Sequence, residues 1–188
     1  MCSPAGFVFD GSPIRGISAL HDDGTGGAAS LGQFKVLPQY CSTLEECPTL
    51  ESERTVPRIN GSEKASPGYF SIGLGKNNIT SEVTVTDHAI LHRFTFNDYN
   101  ADNGLPTLLF DLTNDLSHSF QKGSMELTHM AGMIRVTGKG MFTPSFGIGN
   151  FKVCLSTSHL SSFFAQDVAG LLLPRRPERW HRCMVRLQ

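Results

Sequence analysis

From Gly68 onward the chain is a series of short runs in which apolar and polar residues alternate, separated by stretches rich in Asn, Asp, Gly and Pro. A period of two is the mark of a strand with one face buried, because successive side chains leave an extended backbone on opposite sides. The runs are YFSIGLG (69–75), EVTVT (82–86), AILHRFTF (89–96), TLLFDL (107–112), SMELTHM (124–130), GMIRVTGKGMF (132–142) and GNFKVCL (149–155). In the third, Ile90, His92, Phe94 and Phe96 fall on one face and Leu91, Arg93 and Thr95 on the other, which places this run inside a sheet. Polar stretches such as NDYNADNG (97–104) separate the runs at near-regular spacing. The pattern predicts an all-β fold, an antiparallel β-sandwich.

Two segments fall outside this rhythm. Residues 42–67 are polar, carry turn formers and show no apolar period, so they read as a long surface connection. The last stretch, 154–188, carries 5 Lys+Arg against 2 Asp+Glu, where 1–153 carries 11 against 15. Its last part, LLLPRRPERWHRCMVRLQ (171–188), shows neither strand alternation nor a sustained helical period. The expected organisation is therefore one domain over 1–153, an incomplete sandwich, followed by an irregular basic tail over 154–188 that stands apart from it.

At 188 residues the chain has the length of one domain. A formal net charge of −1 supplies no field that would steer it to nucleic acid or to an anionic membrane. The longest apolar run, VAGLLLP (168–174), is far short of the roughly 20 residues that cross a bilayer as a helix. The partners expected therefore include no nucleic acid and no membrane. The N-terminus MCSPAGFVFDGSP has no basic region followed by an apolar one, so no secretory signal is expected, and the compartment stays open with the cytoplasm allowed. Two glycosylation acceptors occur nonetheless, at Asn60 and Asn78. The five cysteines, Cys2, Cys41, Cys47, Cys154 and Cys183, include no CxxC pair. Cys41 and Cys47 are close enough in sequence to close a small loop, but isolated cysteines are the plainer reading, and no zinc site is written.

The densest polar chemistry lies in GISALHDDGTGGAASLGQF (16–34). As a phosphate loop it fails, since Gly26 and Gly27 lead into Ala28 and Ala29 rather than a Lys-Ser/Thr pair, and Asp22 and Asp23 would repel phosphate. As a glycosidase dyad it fails as well. Two catalytic carboxyls must face one bond from roughly 5 to 9.5 Å apart, whereas neighbours in extended backbone point apart. No GxSxG elbow is present. His88, His92 and His129 lie in or beside strand runs and read as structural histidines held by hydrogen bonds. Composition leaves two readings of the loop equally open: a glycine-rich turn capped by its aspartates, or a ligand contact.

The order of residues is more specific. GISALHDDGTGGAASLGQFKVLP (16–38) resembles the Gly-Phe-Ser-His-x-His-Asp-x-Gly-Thr-Gly-Gly motif of the glycoside hydrolase family 92 α-mannosidases, with its following Ser-Leu-Gly-Asn-Phe segment and short apolar strand. KASPGYFSIGL (64–74), EVTVTDHAILHRFTF (82–96) and RVTGKGMFTPSFGIGNFKV (135–153) resemble later stretches of that family in the same order. The resemblance covers about residues 6–153. Ala19 stands at the family's first histidine and Asp23 where a serine is common.

The resemblance implies a β-sandwich of the supersandwich type that precedes an (α/α)6 barrel. It also implies the removal of terminal α-linked mannose from N-glycans or mannan, with inversion and with Ca²⁺. In that family the acid, the base and most calcium ligands come from the barrel. The chain is then expected to be an N-terminal piece, inactive alone, with no catalytic residues and no metal ligands of its own and with no Ca²⁺ bound. The barrel would be its natural intramolecular partner, and the tail would come from a retained intron or a shifted reading frame. By position, His21, Asp22, Gly24, Thr25, Gly26 and Gly27 match the family's loop and would contact a mannose-containing glycan. Glycines there let backbone approach a sugar closely. The family is typically secreted. A free-standing carbohydrate-binding module is the alternative reading.

Overall fold

The computed structural model describes residues 11–18, 33–76, 78–86, 89–98, 104–113, 119–130, 133–144, 148–160 and 182–186. Among them are ten strands: β1 Lys35–Cys41, β2 Lys64–Ser66, β3 Tyr69–Leu74, β4 Ile79–Val85, β5 Ile90–Phe96, β6 Leu105–Asp111, β7 Phe120–Met130, β8 Met133–Phe142, β9 Phe151–Leu160 and β10 Arg182–Arg186. One helical turn, α1 Glu51–Arg54, lies between β1 and β2. The strands form three sheets, ordered β1-β6-β10, β2-β3-β4-β5 and β7-β8-β9, and every pairing is antiparallel. All seven expected runs are strands, and the all-β antiparallel architecture holds.

The three sheets meet in a shared core. Val36 of β1, Leu108 and Phe110 of β6, and Ile134 and Val136 of β8 form one buried cluster, with Phe94, Phe96, Met125 and Leu127 packed against it. A second cluster, Val56, Ile72, Leu74 and Ile79, gathers Ile14, Tyr40, Phe70 and Phe96. There the Tyr40 and Phe96 rings meet edge to face at 5.2 Å. Phe96 belongs to both clusters, so β5 ties the β3–β4 hairpin to the β1–β6 pair. Its alternation is as expected: Ile90, His92, Phe94 and Phe96 are half-buried, and Leu91, Arg93 and Thr95 are exposed. Its position is not, because β5 ends its sheet as described rather than lying within it.

The segment expected to be a surface connection is the second difference. The β1–β6 pair is buried on both faces. The face carrying Lys35, Leu37 and Gln39 on β1 and Thr107, Leu109 and Asp111 on β6 lies opposite the shared core, and residues 42–56 meet its polar groups. Gln39 Nε2 donates to Cys47 Sγ at 2.9 Å and to the Pro48 carbonyl at 3.3 Å, and Arg54 pairs with Asp111. Val56 is buried and bridges Ile14. Burying this face needs few apolar residues, because its own polar groups supply hydrogen-bond partners; the covering segment therefore reads as polar in sequence. Cys41 and Cys47, both buried, are joined by a disulfide with Cα atoms 5.1 Å apart, contrary to the reading of isolated cysteines.

The boundary expected after residue 153 falls inside β9, which pairs with β8 along its whole length. Phe151, Val153 and Leu155 turn toward a third cluster, Phe34, Leu112 and Phe142, while Lys152, Cys154 and Ser156 are exposed. Farther along, β10 lies antiparallel to β6, with Arg182 opposite Asp111 in register and Arg186 opposite Thr107.

Candidate functional site

The residues expected to contact sugar, His21, Asp22, Gly24, Thr25, Gly26 and Gly27, lie outside the described residues, as do Ala19, Asp23 and His88. The structure does show what holds the chain on either side of them. Ser18 Oγ donates to the Gln33 carbonyl at 2.6 Å, so the chain entering residues 19–32 touches the chain leaving them. One step outward, Ile17 and Val36 exchange backbone hydrogen bonds, each 2.8 Å. Another step out, Gly16 adopts φ 149° and lies so close to Lys35 that a Cβ on it would stand 2.8 Å from the lysine Cβ.

The exit side is anchored in the core. Gln33 and Phe34 are buried, and Phe34 holds φ 53°, the left-handed region that a bulky L-residue rarely enters. Its ring fills the space above Gly138, where a Cβ would meet Phe34 Cε1 at 2.5 Å. The sheet thus leaves a vacancy at β8 for a residue whose backbone is strained. Backbone strain that the surroundings enforce is a feature of ligand-binding segments.

Below the root lies a buried charged group. Lys35 is buried and is the register partner of Asp111. Arg54 and Asp111 form an ion pair whose side chains are each 1% exposed. Asp111 Oδ1 accepts from the Thr113 backbone N–H at 2.9 Å and from its hydroxyl at 3.0 Å. Residue-by-residue reading missed this group because Arg54 sits in a polar run. The available signal was Asp111, an aspartate set inside the apolar run TLLFDL.

Away from the root, the histidines differ from expectation. His92 packs against Phe94, ring centroids 5.8 Å apart, and its Nδ1 is buried with no hydrogen-bond partner. Burial pushes its imidazole below the ordinary value near 6.5. His129 is exposed on β7. On the opposite face of the β3–β4–β5 sheet, Glu82 accepts from Arg93 Nη2 at 2.6 Å and from Tyr69 Oη at 2.7 Å. The Arg93 bonds and then the Tyr69 bond hold its carboxyl at about 2, from an ordinary 4.5. Among the described residues no group of three or more His, Cys, Asp or Glu side chains is placed to hold a metal ion. Asn60 is exposed in a turn, and Asn78 is half-buried at the β3–β4 turn with φ 44°.

Residues 2–167 match the model of the glycosyl hydrolase family 92 N-terminal domain. An uncharacterized secreted glycosidase of Arthroderma benhamiae is 44% identical over 159 residues, spanning 81% of this chain and 20% of that protein. A family 92 alpha-mannosidase from Bacteroides thetaiotaomicron superposes with a TM-score of 0.70 at 17% identity, covering 98% of this chain and 26% of that one. The same enzyme in complex with mannoimidazole gives 0.68 at 17% identity, covering 97% and 25%. The chain thus spans between a fifth and about a quarter of the length of these relatives.

Proposed function

Because this chain belongs to glycosyl hydrolase family 92, as an N-terminal domain of that family, we propose that it forms one wall of a pocket for terminal α-linked mannose. The enzyme it serves hydrolyses such mannose from N-glycans or mannan, with inversion and with Ca²⁺. The observation that carries this reading is the pairing of 44% identity to a glycosidase with a glycine-rich polar sequence at 19–32 whose flanking residues, Ser18 and Gln33, are hydrogen-bonded to each other. His21, Asp22 and Thr25 offer hydrogen bonds to sugar hydroxyls, and Gly24, Gly26 and Gly27 let the backbone come close. Glycosidic cleavage needs an acid and a base facing one bond. Asp22 and Asp23, adjacent in sequence, do not supply that pair, and the reading gives the 188 residues a binding role without turnover.

Secretion is part of the reading. The Arthroderma relative is described as secreted, and a buried disulfide suits an oxidising compartment. Asn60 and Asn78 are then available as glycan acceptors.

The test is incubation of the purified chain with an aryl α-mannoside and with an α-1,2-linked mannose disaccharide, calcium present. No mannose release is expected; calcium-dependent release would overturn the reading. A second reading, a free-standing carbohydrate-binding module, rests on the same glycine-rich polar sequence at 19–32, which can contact a sugar without catalytic carboxyls. Saturable mannoside binding by this chain, weakened by Asp22→Ala, agrees with both. Binding that is unaltered when a longer family member's remaining domain is added in trans favours the module.

A further inference from the structure

The charges beneath the loop root are not what stability alone would select. Arg54 and Asp111 are almost fully buried, and Arg54 Nε and Nη1 have no hydrogen-bond partner. A buried ion pair is weak support for a fold, since apolar residues of similar volume often hold it as well or better. A guanidinium with unmet donors is worse still, because each buried donor keeps its desolvation penalty.

What the pair does have is orientation and place. Two hydrogen bonds from Thr113 fix one carboxylate oxygen of Asp111, and Arg54 holds the other. Asp111 and Lys35 are register partners on one face, where Cβ atoms stand about 4.5–5.5 Å apart and opposite charges attract. The Lys35 stem in turn runs against Gly16, on the other side of the root. An oriented carboxylate therefore bears on both chain segments that lead into residues 19–32.

We infer that Arg54 and Asp111 are positioning residues for the glycine-rich loop, setting where its two ends sit and hence how well it meets a mannoside. This inference rests on the reading of that loop as a sugar-contacting wall.

A neutral double variant separates positioning from stability. In the full 188-residue chain, Arg54→Met with Asp111→Leu replaces both charges by apolar groups. The melting temperature is expected to fall, because buried Lys35 loses its register partner Asp111, so exchange at the root is read against exchange in β3 and β4. Amide hydrogen exchange over 16–18 and 33–35 is expected to speed up about tenfold, and affinity for methyl α-mannoside to fall by about as much. A folded double variant whose exchange at the root equals the parent's would overturn the inference, as would root exchange that rises only in step with exchange in β3 and β4. Thr113→Val, which removes one hydrogen bond from Asp111 and leaves every charge in place, covers the case of a double variant that does not fold. It must shift root exchange in the same direction, and an unchanged root sinks the proposal. If the parent binds no mannoside, the sugar-wall reading fails while the exchange result still decides the role of the pair.

Discussion

The ring of Phe34 occupies the place that a side chain on Gly138 would take: a Cβ there would lie 2.5 Å from Phe34 Cε1. One residue is the last before β1, with φ 53°, and the other is central in β8, facing Met125 and Leu155 in register. The exit of the glycine-rich loop is thus keyed to a strand more than a hundred residues later in the chain.

Gly138→Ala should act as overpacking, costing about 1–3 kcal/mol in urea unfolding. Phe34→Ala alone opens a cavity and removes ring contacts. In the double variant the two losses should total less than their sum, since the clash has gone. Strict additivity would mean that the ring and the glycine are energetically independent.

The Cys41–Cys47 disulfide should survive alkylation of the native protein and appear as a linked peptide in a non-reducing digest, with Cys154, which is free and exposed, taking the label. Cys47→Ser should destabilise by about 2 kcal/mol, the order expected for a small closed loop. It should also loosen residues 42–54, because the covalent tie between β1 and that segment is gone.

Two groups make stability depend on acid, in separate windows. His92 is half-buried and desolvated, so as pH falls below about 6.5 the unfolded chain gains a proton that the native chain resists, and stability declines. His92→Phe should flatten this part of the profile. Glu82 is held at about 2, so its contribution is whole above 4.5 and is lost as pH falls from there toward 2. Glu82→Gln should remove that second decline and leave the first. Thermal melts between pH 3 and pH 8 distinguish the two, and identical profiles for all three proteins would refute both assignments.

If the chain passes through a secretory pathway, Asn60, exposed in its turn, is the first acceptor to expect. Expression behind a secretion leader should give a band that collapses on endoglycosidase treatment, and Asn60→Gln should remove most of that shift. Asn97 fixes the turn around Asn78, its amide donating to the Asn78 carbonyl at 2.8 Å and to Thr80 at 3.0 Å, so a glycan there must fit a rigid hairpin.

Strands with one wet face were legible in the sequence because alternation is the direct consequence of that arrangement; β5 read true residue by residue, and β8 shows the alternation expected of its run. Strand β1 gave no such period, since all but Tyr40 of KVLPQYC is buried, on both faces, and only its place in the family's motif marked it. The Arg54–Asp111 pair was hidden for a different reason: its partners are 57 residues apart, and a polar run looks the same whether it faces water or a buried carboxylate. Likewise nothing local distinguishes Cys41 and Cys47 from isolated thiols until β1 and the following turn bring them together. The loop at 16–34 was legible as chemistry, in the kinds of residue it carries, while its anchoring depended on Gly138 and Val36, neither of which belongs to the motif's polar core.

The hydrogen bond from Ser18 to Gln33 makes residues 19–32 a cassette. The chain that enters the interval and the chain that leaves it are bonded to each other, so their separation is set from outside the interval. On the sugar-wall reading proposed above, a relative's corresponding interval could be grafted between the same two residues, and a changed sugar preference would follow from one segment rather than from a domain.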